Sequence, residues 1–447
     1  MIVDAHRLLP DEPLTTLDAY LRSGGGQGLL RALDMTPADV IGEVKASGLR
    51  GRGGAGFPTG VKWESVVASA AERDQPVYLV VNGAEGEPGT FKDRTLLEAN
   101  PFQVVEGILI ALHATGARRG YVAIKRTFGA PLRNLADAVA AVAAHGWHGA
   151  ELVEVVPGPD EYLFGEESAM LEVIEGKLPM PRINPPYLQG LFATIDQPNP
   201  TVVNNVESYA HVASILTRGA DWFREVGTDA SPGTMLFTVT GDVGSPGVYE
   251  LPMGTPLRTL LVDIAGADDV KAVYSGTSNT VVTPDLLDLP LDFDAFTAAN
   301  TGLGSGGFIV YDSSHCIVRV LATLSHFLAI ESCGQCNACK LGTEAITEVL
   351  VRIDRGGGVP NDLERLLERA ATVTDQNRCY LPVGEQLMVG STLQRFAAEF
   401  SDHLGRACWS EREPAVPKID HLDHADGEVV YDLDYHRKRP DWSYAEG

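Results

Sequence analysis

Cys333, Cys336 and Cys339 stand at equal spacing in the run Glu331-Ser332-Cys333-Gly334-Gln335-Cys336-Asn337-Ala338-Cys339-Lys340, and Cys379 follows forty residues on. Three thiolates two residues apart can wrap one face of a cubane, and a remote fourth closes the cage, the arrangement that ligates a [4Fe–4S] cluster. The fold must then bring two distant loops to one point. A zinc site more often splits its ligands into two separated pairs, so a four-cysteine zinc site or an unfilled thiol cluster is the alternative. The surrounding pattern is helical. Ile346, Val349, Leu350 and Ile353 fall at i, i+3, i+4, i+7, as do Leu363, Leu366, Leu367 and Ala370. With 316–330 and 387–404 they make four helices, the triplet between the first two and Cys379 between the last two. One end of a four-helix bundle would clamp one cluster. Cys316 and Cys408 fall outside the spacing and read as packed thiols.

The chain has 447 residues, enough for about three domains. Its net charge of −25 argues against binding a nucleic-acid backbone or an anionic membrane surface. No apolar run approaches the ~20 residues that span a bilayer, and the start, Met1-Ile2-Val3-Asp4-Ala5-His6-Arg7, lacks an apolar stretch of signal-peptide type. Six cysteines, four of them in one ligand set, fit a reducing compartment better than a disulfide framework. A cytoplasmic location is expected.

A second site is signalled near the N-terminus. Residues 48–63 hold six glycines, and Gly51, Gly53, Gly54 and Gly56 would let backbone N–H groups approach a phosphate without Cβ interference. Lys62 could add a point charge. The letters Gly51-x-Gly53-x-x-Gly56 match the dinucleotide pattern, but the preceding 41–46 reads as helix where that pattern needs a strand. An ordinary Rossmann turn is therefore not expected, and a mobile surface loop is the bland alternative. Further on, 77–81 is a buried-strand run ending in Asn82-Gly83-Ala84-Glu85-Gly86-Glu87-Pro88-Gly89-Thr90-Phe91-Lys92-Asp93-Arg94. Open α/β sheets place ligands at the carboxyl ends of their strands. Asn82 can donate to and accept from a heterocycle, and Glu85 and Glu87 can accept from ring N–H or ribose hydroxyl groups. A strand, an acidic turn and a helix starting near Thr95 is the plainer reading.

These segments, with Gly165-Glu166-Glu167-Ser168-Ala169, Thr201-Val202-Val203-Asn204-Asn205-Val206-Glu207 and the cysteine set, resemble the NADH- and flavin-binding subunit of respiratory complex I. The diaphorase subunits of NAD-linked hydrogenases and formate dehydrogenases belong to the same family, and the likeness covers about residues 35–405. It implies FMN, NAD(H) and a [4Fe–4S] cluster held by Cys333, Cys336, Cys339 and Cys379. It implies that Gly51, Gly53 and Lys62, in a loop with Arg52, Gly54 and Gly56, cradle the FMN phosphate. Asn82, Glu85, Asn204 and Asn205 would hold the flavin, and Gly165, Glu166 and Glu167 the nucleotide side. Glu167 would lie near the adenosine ribose, where an acid disfavours a 2′-phosphate. Glu87 would approach the nicotinamide nucleotide, while Phe57 and Tyr187 would flank the adenine. No side chain is assigned as a general acid or base, because orientation and electrostatics carry hydride transfer. The chain departs from the family at Ala84, where an aspartate is usual, and at Ser65, where an aromatic is common.

The expected fold class is α/β. Residues 1–34 form an N-terminal segment, and a Rossmann-like parallel-sheet FMN/NADH domain follows at 35–228. It has strands at 77–81, 121–124 and 152–156 and helical patterns around 96–113 and 132–145. A small β-grasp module of the family's SLBB type is expected at 229–312, with strands at 235–240, 248–251 and 270–274. The helical bundle spans 313–408. The tail 409–447 carries Tyr431, Tyr435, Trp442 and Tyr444 without a sustained period, and reads as an extended arm on a neighbouring subunit or as terminal disorder. His421, His424 and His436 read as solvated. The resemblance implies an NADH dehydrogenase subunit passing single electrons from FMN to its cluster and on to iron–sulfur partner subunits. A [2Fe–2S] thioredoxin-like subunit would be among these partners. A flavin-free cluster relay and a zinc-stabilised binding module are the competing readings.

Overall fold

The computed structural model describes residues 6–414, 418–423 and 427–445; most of the start Met1–Arg7, and His424, lie outside the described residues. The chain divides into two compact units. One comprises Met1–Glu85, Lys92–Leu236 and Glu250–Thr255, and the other Gly86–Phe91, Phe237–Tyr249 and Pro256–Gly447.

The first unit opens with helices α1 (Leu17–Arg22), α2 (Gln27–Leu33) and α3 (Pro37–Ala46). Thr36 starts α3, its Oγ1 accepting from Asp39 N at 3.2 Å, and Pro37 stands at the first helical position, where its missing N–H costs nothing. The glycine loop follows this helix, as the 41–46 pattern predicts, and leads into α4 (Thr59–Glu72). The sheet holds β1 (Tyr78–Gly83), β2 (Gly120–Lys125), β3 (Val153–Gly158) and β4 (Thr201–Asn205), all parallel, in the order β3-β2-β1-β4. Its central strands read as continuous apolar runs because both faces are covered.

Between β1 and β2 the expected single helix over 96–113 is two: α5 (Lys92–Ala99) and α6 (Pro101–Thr115), bent by 97°. Pro101 has no N–H to continue α5 and instead opens α6 at its first position. Helix α6 is buried nearly throughout, against α2, α7 (Gly129–Ala144) and α9 (Val206–Arg218). Helix α8 (Glu167–Ile174) follows β3, and the short α10 (Ala220–Arg224) follows α9. No single described helix is long and apolar enough to cross a membrane.

Most of a second sheet falls in the second unit; its strands are β5 (Thr234–Gly241), β6 (Gly247–Pro252), β7 (Ala272–Tyr274) and β8 (Gly307–Tyr311) in the order β6-β5-β8-β7. The central pair β5/β8 is parallel and β7/β8 antiparallel, the β-grasp arrangement, with α11 (Phe293–Ala298) before β8. Helices α12 (Ile317–Glu331), α13 (Asn337–Asp354), α14 (Pro360–Thr372) and α15 (Leu381–Arg395) follow. Helix α12 packs on α13 and α15, and α14 on the same two. The expected last helix over 387–404 divides at Phe396 into α15 and α16 (Ala397–Asp402), the latter burying Phe400.

The tail is a correction. Its described residues form an antiparallel pair, β9 (Ile419–Asp423) and β10 (Glu428–Tyr431), then a 3₁₀ turn over Leu433–Arg437. Ile419 and Leu422 bury against Phe91, and Tyr435 and Lys438 bury at the end of α12. Widely spaced apolar residues showed no period, yet Ile419, Leu422 and Tyr435 find slots in their own chain, while Leu433 and Val430 stay exposed. Cys316 and Cys408 lie together beside His403, with Cys316 Sγ 3.2 Å from His403 Nε2.

Candidate functional site

In the first unit the sheet reverses its order between β1 and β4, since β2 lies on the other side of β1. Such a switch point opens a crevice at the carboxyl ends of the strands. The register pairs Val81 with Asn204 and Asn82 with Asn205, so three of the expected flavin residues meet there. Asn82 Nδ2 donates to Gly165 O at 2.7 Å, which ties the strand end to the segment before α8. Asn204 Oδ1 accepts from the indole of the buried Trp63 at 2.9 Å. Asn205 caps α9, accepting from Glu207 N at 3.0 Å, and its Nδ2 donates to Asn82 O and to Asp93 Oδ2 at 3.2 and 2.7 Å.

The glycine loop closes on itself. Gly51 N donates to Phe57 O at 2.9 Å, Thr59 N to Leu49 O at 2.9 Å, and Arg50 Nε to Gly56 O at 2.7 Å. Gly54 and Gly56 have φ of +125° and +61°, a region that a side chain strains. A Cβ on Gly53 would meet Asn205 Cβ at 3.1 Å, so the loop and the strand end share a cradle that only glycine leaves open. Arg52 is fully buried: its N donates to Ser208 Oγ at 2.9 Å and its Nη2 to Pro232 O at 2.9 Å. Burial brings its guanidinium down to about 10, against the pull of Glu207. Lys62 Nζ donates to Val203 O at 3.1 Å and lies 3.6 Å from Glu167 Oε2, so the expected phosphate and ribose groups are neighbours.

Sequence reasoning missed the ionic floor of this cradle. Lys92 Nζ lies 2.6 Å from Asp93 Oδ1 and 2.7 Å from Glu207 Oε2, all three buried, and 3.3 Å from Asn205 Oδ1. Burial alone would push Glu207 upward, but Lys92, His211 and Arg52 hold it down at about 2. Glu85 accepts from Arg94 Nε at 3.0 Å and from Asp93 N at 3.2 Å. The signal was present, since Lys92, Asp93, Arg94 and Glu207 all close the segments singled out above. Burial of four charges in one place cannot be read from spacing.

On the nucleotide side Glu166 caps α8, accepting from Ser168 N at 3.0 Å and Ala169 N at 2.8 Å. Its backbone role leaves Glu167 as the more exposed acid, while Phe57 and Tyr187 expose about half of their surface (51% and 52%). Glu87 belongs to the second unit, where its Oε1 accepts from Thr277 N at 2.6 Å. Ala84 is buried among Tyr78, Val80, Tyr121, Ala123 and Phe164, an apolar slot filled by its methyl group. Ser65 donates to Val61 O within its own helix.

In the second unit Cys333 stands two residues after the end of α12, Cys336 precedes the first residue of α13, Cys339 lies in that helix's first turn, and Cys379 stands two residues before α15. None of the four is joined in a disulfide. Gly334 turns the loop at φ +77°. Ser332 Oγ is 3.3 Å from Cys339 Sγ, and Gln335 Nε2 donates to Cys333 Sγ at 3.6 Å. Burial, with Cys336 and Cys333 beside it, pushes the Cys339 thiol up to about 11. Cys333, Cys336 and Cys339 lie within electrostatic reach of one another, and the positive ends of α13 and α15 favour thiolate ligands. The donor set fits a [4Fe–4S] cluster.

Residues 44–214 match the family model of the Nuo51 FMN-binding domain, 319–403 that of the NADH-ubiquinone oxidoreductase-F iron–sulfur binding region, and 236–273 that of the SLBB domain. The F 2 subunit of NADH-quinone oxidoreductase from Rhizobium meliloti (strain 1021) is 40% identical over 412 residues, 89% of this chain and 96% of the relative. The chain belongs to the family of NADH-quinone oxidoreductase F subunits. The F subunit of Streptomyces coelicolor is 40% identical over 88% of this chain and 89% of its own. The HndC subunit of the NADP-reducing hydrogenase of Solidesulfovibrio fructosivorans is 36% identical over 87% and 81%. The fold also matches a chain of an NAD+-reducing [NiFe]-hydrogenase with a TM-score of 0.78 at 33% identity, covering 87% of this chain and 66% of that one. As a member of the F-subunit family, the chain is a flavin-dependent NADH dehydrogenase whose cofactors are FMN and a [4Fe–4S] cluster.

Proposed function

We propose that the switch-point cradle of the first unit holds FMN and NADH, and that Cys333, Cys336, Cys339 and Cys379 ligate the cluster. The observation that carries this reading is the register that sets Asn82 beside Asn205 and Val81 beside Asn204, directly against the glycine loop. The loop 51–56 would cradle the flavin phosphate close to the start of α4, with N–H groups beyond those of Gly51 and Arg52, which are engaged within the protein, and with the ammonium of Lys62. Asn204, its carbonyl already held by Trp63, would offer its NH2 end to the flavin. Lys92, Asp93 and Glu207 hold Asn205 in place from below, so orientation is built in before the ligands arrive. Bound FMN converts a two-electron hydride donor into a source of single electrons. Gly165 and Glu166 would shape the nucleotide side, Glu167 would face the adenosine ribose, and Phe57 and Tyr187 would stack on adenine. Glu85, held by Arg94 Nε and Asp93 N, would line the flavin.

The domain division at 35–228, 229–312 and 313–408 accompanies this reading, with 1–34 leading in and 409–447 closing the chain. The partners would be iron–sulfur subunits of a multi-subunit oxidoreductase, a [2Fe–2S] thioredoxin-like subunit among them. The location would be cytoplasmic, peripheral to the membrane through those partners. Complex I is the host favoured by the identity to the F-subunit relatives. The hydrogenase matches support a soluble diaphorase role as the second reading.

The test is anaerobic purification of the full chain, assay of flavin, iron and sulfide, and addition of NADH. Bleaching of the flavin band with appearance of a reduced-cluster paramagnetic signal is expected. Both groups present with the cluster still oxidised would overturn the reading.

A further inference from the structure

The segment after the last helix returns to the loop that carries Cys333. Helix α12 ends at Glu331, two residues before that ligand. Glu331 Oε1 accepts from Tyr435 OH at 2.9 Å and from Lys438 Nζ at 2.8 Å, and the Glu331 and Lys438 side chains are 2% and 1% exposed. Next to it Trp442 Nε1 donates to Ile330 O at 3.1 Å. Lys340, the residue after Cys339, donates to Ala329 O, Ser332 O and Pro440 O at 3.0, 3.1 and 3.0 Å. The last carbonyls of a helix lack partners within it, and here the tail and the cysteine loop supply them together.

Two features go beyond ordinary packing. The tail places a buried ion pair two residues before the first ligand, whereas a surface strap would need only apolar contacts. A buried carboxylate is tolerated only while its cation remains. Reduction of the cluster adds one negative charge close by, so the neutrality of this pair bears directly on how readily an electron is accepted.

We propose that Tyr435 and Lys438 are positioning residues for the iron–sulfur site, clasping the Cys333 loop through Glu331 and cancelling that carboxylate's charge beside the cluster. The inference rests on the cluster reading above. It adds a role for the C-terminal segment and for three residues outside the ligand set.

The experiment is a redox titration of the anaerobic full chain followed by paramagnetic resonance, with iron content measured in each sample. Lys438→Met should make cluster reduction about tenfold less favourable, a midpoint about 59 mV lower for one electron. The double variant Glu331→Gln/Lys438→Met removes both charges and should return the midpoint to the wild-type value. A single variant that loses iron while the double variant keeps it, at the wild-type midpoint, also supports the clasp. Unchanged midpoints in both variants, an equal shift in both, or loss of iron from both, overturns it. Absence of iron from the wild-type chain would instead defeat the underlying cluster assignment.

Discussion

Glu167 illustrates how one charge can set specificity without touching the reacting atoms. It stands at the start of α8, 3.6 Å from Lys62, with its side chain 41% exposed. A 2′-phosphate near it would meet a like charge worth about 1 kcal/mol in well-hydrated surroundings. Glu167→Gln should therefore raise NADPH oxidation relative to NADH oxidation by roughly fivefold. Steady-state kcat/KM for the two nucleotides checks this, and an unchanged ratio would move the carboxylate away from the ribose. His211 makes the second residue-scale case. Burial, with Arg52 nearby, holds it down at about 4, although Glu207 pulls the other way. In the unfolded chain it takes its proton near the ordinary value of about 6.5. As pH falls from there toward 4 the unfolded state binds the extra proton, so this contribution to stability is present above that window and is lost through it. Melting curves between pH 7 and 4.5 should show wild type losing stability faster than His211→Gln, by at most about 1.4 kcal/mol per pH unit. Parallel losses would remove His211 from the account.

At the scale of elements, the fold was legible in the sequence where a period was long. Helix α13 and helix α14 follow their i, i+3, i+4, i+7 apolar rows, and β1 and β5 their buried runs. The departures lie at breaks. Pro101 turns one expected helix into two at 97°, because a missing N–H ends α5 and a fixed φ suits the first position of α6. Phe396 ends α15 early with no proline or glycine to announce it. The tail was the largest departure. Its residues 435, 438 and 442 gain meaning only against Glu331 and Ile330, about a hundred positions earlier. A local pattern carries no information about a partner so far along the chain.

The whole molecule is two compact units with a different cofactor set proposed for each, and this should be visible in unfolding. A ligand that binds only the folded form stabilises it by about 2.7 kcal/mol at a hundred times its Kd. Added FMN should raise one calorimetric transition of flavin-depleted protein. Cys336→Ser should abolish the cluster's paramagnetic signal and lower the other transition, leaving bound flavin in place. A single transition moved equally by both changes would show that the two units unfold as one, and loss of flavin from Cys336→Ser would undo the separate assignment of the sites.

Part of the candidate ligand set was legible from the residues themselves, as glycines where a Cβ would intrude, cysteines two residues apart and Asn82 at a strand's end, whereas Asn204 and Asn205 entered only through the family resemblance. Those choices are local, dictated by the chemistry of thiolates and by the room a backbone needs. Only the tertiary structure decided which charges lie buried around them. Lys92 finds Glu207, and Lys438 finds Glu331, across more than a hundred residues in each case. A charge is tolerable inside a protein only beside its partner, and which partner that is depends on how the strands and helices are stacked.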